Sequence, residues 1–172
     1  LVIVGNGMAT GRLLDELLPR AAGAFDITVV GDEPHGSYNR IMLSPLLAGE
    51  VERTVLIQKP PSWYRQRSVC FLGGVRAEAI ERGARRLRLS DGQELAYDQL
   101  VLATGARPAR IAAANQHLRH LYQFRTLDDV EAIAARAGSA RDAVVVGGGL
   151  LGLEAAHGLS CRGLRVTVVH RG

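Results

Sequence analysis

Ala143-Val144-Val145-Val146-Gly147-Gly148-Gly149-Leu150-Leu151-Gly152 joins an apolar run directly to a glycine-rich one. Four apolar residues suit a short strand, and the glycines that follow suit a tight turn. Leu150 to Leu159 then predicts an apolar helix that stops at Arg162-Gly163, and Leu164 to Val169 a second strand. Strand, turn, helix and strand in that order form a βαβ unit, which requires a parallel sheet. Within the turn, Gly147, Gly149 and Gly152 satisfy G-x-G-x-x-G. The first glycine permits the turn, the second lets a pyrophosphate approach the backbone, and the third lets helix pack close to strand. The helix N-terminus then faces the phosphates.

The same pattern opens the chain. Leu1 to Val4 predicts a strand, Gly5-Asn6-Gly7-Met8-Ala9-Thr10 a turn, and Leu14, Leu17 and Leu18 the apolar stripe of a helix stopped by Pro19. Ile27 to Val30 is the returning strand. Thr10 stands where the third glycine is usual, with Gly11 one place late, and a branched side chain there crowds the helix–strand contact. This internal repeat is the most informative feature of the sequence. The chain is therefore expected to be α/β, with two Rossmann-like dinucleotide-binding folds in tandem, both incomplete. Residues 1–109 are assigned to the first, and residues 110–172 to the N-terminal part of the second.

Between the repeats, Gly31 to Glu52 reads as irregular, and a loop of that length inside a domain suggests ligand contact. Val69 to Leu89 alternates loosely, turns at Ser90-Asp91-Gly92 and returns over Glu94 to Tyr97, which predicts a β-meander within the first fold. Leu100 to Ala103 reads as a buried strand running into Thr104-Gly105. Pro108 to His120 resembles a linker, and Thr126 with Asp129 marks the start of a helix that ends near Gly138.

An acidic residue after the second strand of such a unit binds ribose hydroxyls. Asp32 or Glu33 can serve in the first copy. In the second, His170-Arg171 occupies the place, and a cationic pair there tolerates a 2′-phosphate, a pointer to NADPH. Glu154, on the first turn of the second helix, is a candidate for orienting the nicotinamide side.

Composition narrows the class. The chain is 47% hydrophobic with 20 glycines, the profile of an α/β enzyme rather than a disordered or fibrous chain. Its apolar runs are far too short for a bilayer, so no membrane partner is expected. Leu1 opens directly into an apolar strand, so no signal peptide is expected, and without Met Leu1 is read as a cut point. The formal charge is +4, and Arg82, Arg85, Arg86 and Arg88 cluster around the hairpin. Without interleaved aromatics they read as a solvated face, so nucleic acid is not an expected partner. Cys70 and Cys161 lie too far apart for a dithiol motif. They are expected to be small core residues in a reducing compartment, the cytoplasm. His35, His117, His120 and His157 show no ligand spacing, so no metal site is expected.

Two nucleotide folds flanking a meander, with Ala103-Thr104-Gly105 at a strand end, resemble the FAD-dependent pyridine-nucleotide reductases. The resemblance implies FAD on the first fold, NAD(P)H on the second, and Ala103-Thr104-Gly105 near the flavin. It also implies that Arg40 and Ser44, in Tyr38-Asn39-Arg40-Ile41-Met42-Leu43-Ser44, approach the flavin nucleotide, and that the Ala77 backbone meets the adenine. Within this family, Gly5 to Ala9, Phe25 to Val29, Glu33 to Gly36, Tyr38 to Glu50 and Gly147 to Ala156 are similar to the large subunit of NAD(P)H-dependent nitrite reductases. Ferredoxin and rubredoxin reductases usually carry Lys after the Leu-Ser pair, where this chain has Pro45.

The implied function is an electron-entry module in which NAD(P)H reduces FAD. Siroheme and an iron–sulfur cluster for nitrite reduction are implied only for residues beyond this chain. The alternatives are a freestanding ferredoxin- or rubredoxin-type reductase with a separate acceptor protein, and a nucleotide-binding protein without turnover. Hydride transfer between stacked rings needs no protein nucleophile or base, so no catalytic residue is assigned. Because the second fold stops after two strands, these residues expressed alone are expected to be poorly stable and inactive.

Overall fold

The computed structural model describes residues 1–108 and 119–171. The boundary expected at 109/110, most of the linker expected over 108–120, and His117 lie outside the described residues.

The chain opens with β1 (Val2–Val4), α1 (Met8–Arg20), β2 (Ile27–Gly31) and β3 (Ser37–Tyr38). A 3₁₀ turn (Arg40–Met42) leads to α2 (Leu43–Ala48) and α3 (Arg53–Leu56), then β4 (Ile57–Lys59) and α4 (Pro61–Arg65). Strands β5 (Val69–Gly73), β6 (Ala77–Glu81), β7 (Arg86–Leu89), β8 (Glu94–Ala96) and β9 (Leu100–Leu102) follow. The last elements are α5 (Leu127–Ala137), β10 (Asp142–Val146), α6 (Leu150–Cys161) and β11 (Arg165–Val169). They divide into two compact units, Leu1–Tyr38 with Ile57–Ala106 and Asn39–Leu56 with Arg107–Gly172. Among the described residues no helix is long and apolar enough to cross a membrane.

The first unit is built on a four-stranded parallel sheet in the order β5-β2-β1-β9. Ile3, Leu14, Ile27, Val29, Tyr64 and Val69 form one core cluster; Val2, Val4, Val30, Leu87 and Leu89 form another beneath the meander. Covering on both faces explains why β1 is an unbroken apolar run and β2, apart from Thr28, nearly one. The meander is the antiparallel set β6-β7-β8. Its arginines face out: Arg86 pairs with Glu94 at 2.7 Å and Arg88 with Glu78 at 3.9 Å, while Leu87 and Leu89 point inward.

In the second unit, β10 and β11 pair in parallel from Asp142↔Arg165 to Val146↔Val169, joined by α6. Helix α5 starts at a capping box, Thr126 with Asp129, as the sequence predicts. Helix α6 buries Ala155, Ala156, Gly158 and Leu159. A Cβ on Gly158 would lie 2.9 Å from Leu47 Cγ, so α6 rides directly on α2. Val144, Val146, Val168 and Val169 of the two-stranded sheet remain exposed.

Several local expectations need correction. Pro19 does not stop α1, which runs on to Arg20. A proline there removes only its own N–H, and the Ala21 N–H still closes on the Leu17 carbonyl at 2.9 Å. The 31–52 segment is not wholly irregular, since Leu43 and Leu47 bury one side of α2. Pro45 disguised that helix, but it sits in the first turn, where its missing N–H has no helical partner to lose. Val69 to Gly73 belongs to the parallel sheet beside β2, not to the meander. Strand β9 is an edge, with Leu102 60% exposed. Both cysteines are exposed: Cys70 lies on the outward phase of β5, and Cys161 is the last residue of α6.

Candidate functional site

The two glycine turns share one backbone form. Gly5 and Gly147 take φ of +104° and +120°, in the region that favours glycine. Gly7 and Gly149 follow as extended N-caps of α1 and α6, and neither helix has a side-chain cap or an acidic residue in its first turn: Glu154, expected on the first turn of α6, is its fifth residue and lies beyond that turn. The first-turn N–H groups of both helices are therefore left for another acceptor and carry the positive end of the helix dipole. Around the positions where Gly7 and Gly149 would carry a Cβ, no atom lies within 4 Å among the described residues. Open backbone, uncapped N–H groups and no competing acid suit a pyrophosphate at each turn.

The turns solve the third position differently. A Cβ on Gly152 would fall 1.9 Å from the Gly147 carbonyl oxygen. Thr10, at the matching place, carries a Cβ, is fully buried, and donates its hydroxyl to the Gly5 carbonyl at 2.6 Å. Helix α1 thus stands further from its turn than α6 does, and a hydrogen bond spans the gap. The crowding anticipated for Thr10 is relieved in this way. Thr10→Val, which keeps the shape but removes the donor, is expected to cost about 1–3 kcal/mol by urea denaturation, with Thr10→Ser near wild type.

Ala103-Thr104-Gly105 closes over the first turn. A Cβ on Gly5 would lie 2.1 Å from the Ala103 carbonyl oxygen, and the Ala103 N–H donates to the Val4 carbonyl at 2.7 Å. Gly5, Gly7, Met8, Ala9, Ala103, Thr104 and Gly105 are thereby gathered at the carboxyl ends of β1 and β9. That is the end of a parallel sheet where nucleotides bind. Beyond β2, Asp32 is exposed, and the Glu33 carboxylate accepts the Tyr38 hydroxyl at 2.6 Å. Ala77 opens β6, opposite Leu89.

In the second unit, Arg40 donates to the Arg125 carbonyl at 2.9 Å, and the Ser44 hydroxyl donates to Glu154 at 2.6 Å. Ser44 and Glu154 line one open pocket with Pro45, Ala48, Glu50 and His157. Leu150 and Leu151 stand exposed on the first turn of α6. His170 lies against the second turn: its Nδ1 accepts the Gly148 N–H at 3.2 Å, which places the proton of the neutral ring on Nε2.

One support was not legible beforehand. Tyr64 is fully buried, donates its hydroxyl to Asn6 Oδ1 at 2.7 Å and accepts the Ser37 N–H at 3.3 Å. It therefore braces the middle residue of the Gly5-Asn6-Gly7 turn from below. Burial raises its pKa above the ordinary 10.0. A raised folded-state value means that this contribution to stability is full below the unfolded pKa and is lost as pH rises through the folded one. Alkaline unfolding of the wild type is thus expected to set in above about pH 10, with a shallower dependence in Tyr64→Phe, followed by circular dichroism.

A model of the pyridine nucleotide-disulphide oxidoreductase family matches residues 1–172. The chain belongs to this family. Among its relatives, the assimilatory nitrate reductase electron transfer subunit of Bacillus subtilis is 36% identical over 170 residues, covering 99% of this chain and 22% of the relative. The nitrite reductase [NAD(P)H] of the same organism is 35% identical, covering 99% and 21%. A solved structure, the covalent putidaredoxin reductase–putidaredoxin complex, superposes with a TM-score of 0.86 at 35% identity, covering 97% of this chain and 41% of that one. The chain thus spans about a fifth of those two B. subtilis relatives and two fifths of the reductase.

Proposed function

We propose that this chain supplies the nucleotide-binding front of an NAD(P)H-dependent flavoprotein reductase, with FAD on the first turn and NAD(P)H on the second. The observation that carries the proposal is the doubled, uncapped glycine turn, each copy between parallel strands. Residues 1–109 would then be the FAD-binding segment, and 110–172 the start of a second, NAD(P)-binding fold. Gly5, Gly7, Met8 and Ala9 hold the FAD pyrophosphate. Asp32 or Glu33 takes the ribose, Ala77 meets the adenine, and Arg40, Ser44 and Ala103-Thr104-Gly105 serve the flavin side. Gly147, Gly149, Leu150, Leu151 and Gly152 hold the second pyrophosphate. Glu154, fixed by Ser44, orients the nicotinamide side, and His170 with Arg171 stands where a 2′-phosphate would lie.

The bound cofactors supply the hydride chemistry. The protein's part is to fix the phosphates at two helix N-termini, hold the rings in position and keep water out. No side chain is asked to move a proton.

Electrons are proposed to leave to a separate redox protein. The likeness to a reductase solved in covalent complex with putidaredoxin supports this reading. The nitrite reductase reading, with siroheme and an iron–sulfur cluster elsewhere in the protein, is favoured by Pro45 in the Arg40-to-Glu50 segment and by the nitrite reductase relative. Purification of the product of the intact gene separates the two. NAD(P)H-driven reduction of a ferredoxin or rubredoxin, without siroheme absorption, supports the first. Co-purifying siroheme with ammonia formed from nitrite supports the second.

A further inference from the structure

Helix α6 carries a second set of reactive side chains that the glycine turns do not use. His157 and Cys161, one turn apart on one face, bring Nε2 and Sγ to 3.6 Å. Glu50, just past the end of α2, places Oε1 at 3.6 Å from the same Nε2. The three donor atoms all lie within 4.8 Å of one another, and all three residues are exposed. A tetrahedral zinc ion, with bonds of about 2.3 Å to sulfur and 2.0–2.1 Å to nitrogen, separates those two ligand atoms by about 3.5 Å. The 3.6 Å between Sγ and Nε2 matches that separation. The donor set of thiolate, imidazole and carboxylate suits zinc and not calcium or magnesium, which take oxygen ligands.

We propose that Glu50, His157 and Cys161 form a three-ligand site for zinc or a similarly thiophilic divalent cation, with the fourth position open to water. Histidine spacing alone conceals this site, because its other ligands are a cysteine one turn along and a glutamate from a distant segment. Binding requires the thiolate, so the Cys161 thiol proton passes to solvent as the metal–sulfur bond forms, and affinity falls as the pH is lowered. The ion would tie the end of α2 to α6, beside Glu154, which borders the same pocket as Glu50 and His157.

The test uses tag-free protein from the intact gene, stripped of metal and titrated with zinc against a chromophoric chelator. One zinc per chain is expected. Cys161→Ser, His157→Gln and Glu50→Gln should each weaken binding at least about tenfold, while Cys70→Ser leaves it unchanged. Cobalt loading of the unmutated protein gives a readout independent of any variant's folding, namely a thiolate-to-cobalt absorption in the difference spectrum. Failure to bind zinc stoichiometrically, unchanged affinity in any of the three ligand variants, or cobalt binding without the thiolate band would overturn the proposal.

Discussion

Gly5→Ala is expected to leave the protein without FAD. At φ +104° an L-residue is strained, which alone costs about 1–2 kcal/mol. The larger effect is steric, because the new Cβ would stand 2.1 Å from the Ala103 carbonyl oxygen. Two backbones are involved, and no rotamer relieves the overlap. Strand β9 and the Ala103-Thr104-Gly105 turn would have to move off β1, distorting both the phosphate turn and the strand end that frames it. A loss of several kcal/mol is a large share of a domain's total of about 5–15 kcal/mol. Flavin content per chain and the thermal midpoint measure it. Gly23→Ala is the control: its φ is +73°, yet no described atom lies within 4 Å of the new Cβ. It should retain flavin and lose only about 1–2 kcal/mol.

Gly152→Ala should have the opposite specificity. In an ordinary helix, replacing Gly by Ala stabilises by about 1 kcal/mol. Here the added Cβ would lie 1.9 Å from the Gly147 carbonyl oxygen, so α6 must be pushed off its turn and the sign reverses. The first turn is untouched. The variant is expected to bind FAD at one per chain while losing most NAD(P)H-dependent flavin reduction, measured by rapid mixing under anaerobic conditions. Equal reduction rates in Gly152→Ala and wild type would show that the second turn takes no part in flavin reduction.

These two glycines also show what the sequence makes legible. Both βαβ units could be read because their signals are local: an apolar run, three spaced glycines and a helix stripe lie within a few turns of one another. Position 10 was visible as an anomaly, but its resolution was not, since the Thr10–Gly5 hydrogen bond depends on how far α1 stands from β1. Contacts between distant segments left no periodic trace. Tyr64 beneath Asn6, Ser44 on Glu154, and Lys59, almost buried and paired with Asp15 at 2.9 Å, belong to this class. Gly31 to Glu52 reads as irregular because Gly, Pro, Asn and Ser are scattered through it, and a proline in a first helical turn looks the same in sequence as one that breaks a helix. Cys70 misled for a related reason: its side-chain phase on β5 is set by pairing with β2, which the loose alternation of that stretch did not reveal.

That the two turns work as a pair is tested by anaerobic titration of the FAD-loaded protein with NADH and, separately, NADPH, following the flavin's visible absorbance. At least one of them is expected to bleach the flavin stoichiometrically, one nucleotide per FAD. Protein that binds FAD yet is reduced by neither nucleotide, or that binds no FAD, would contradict it.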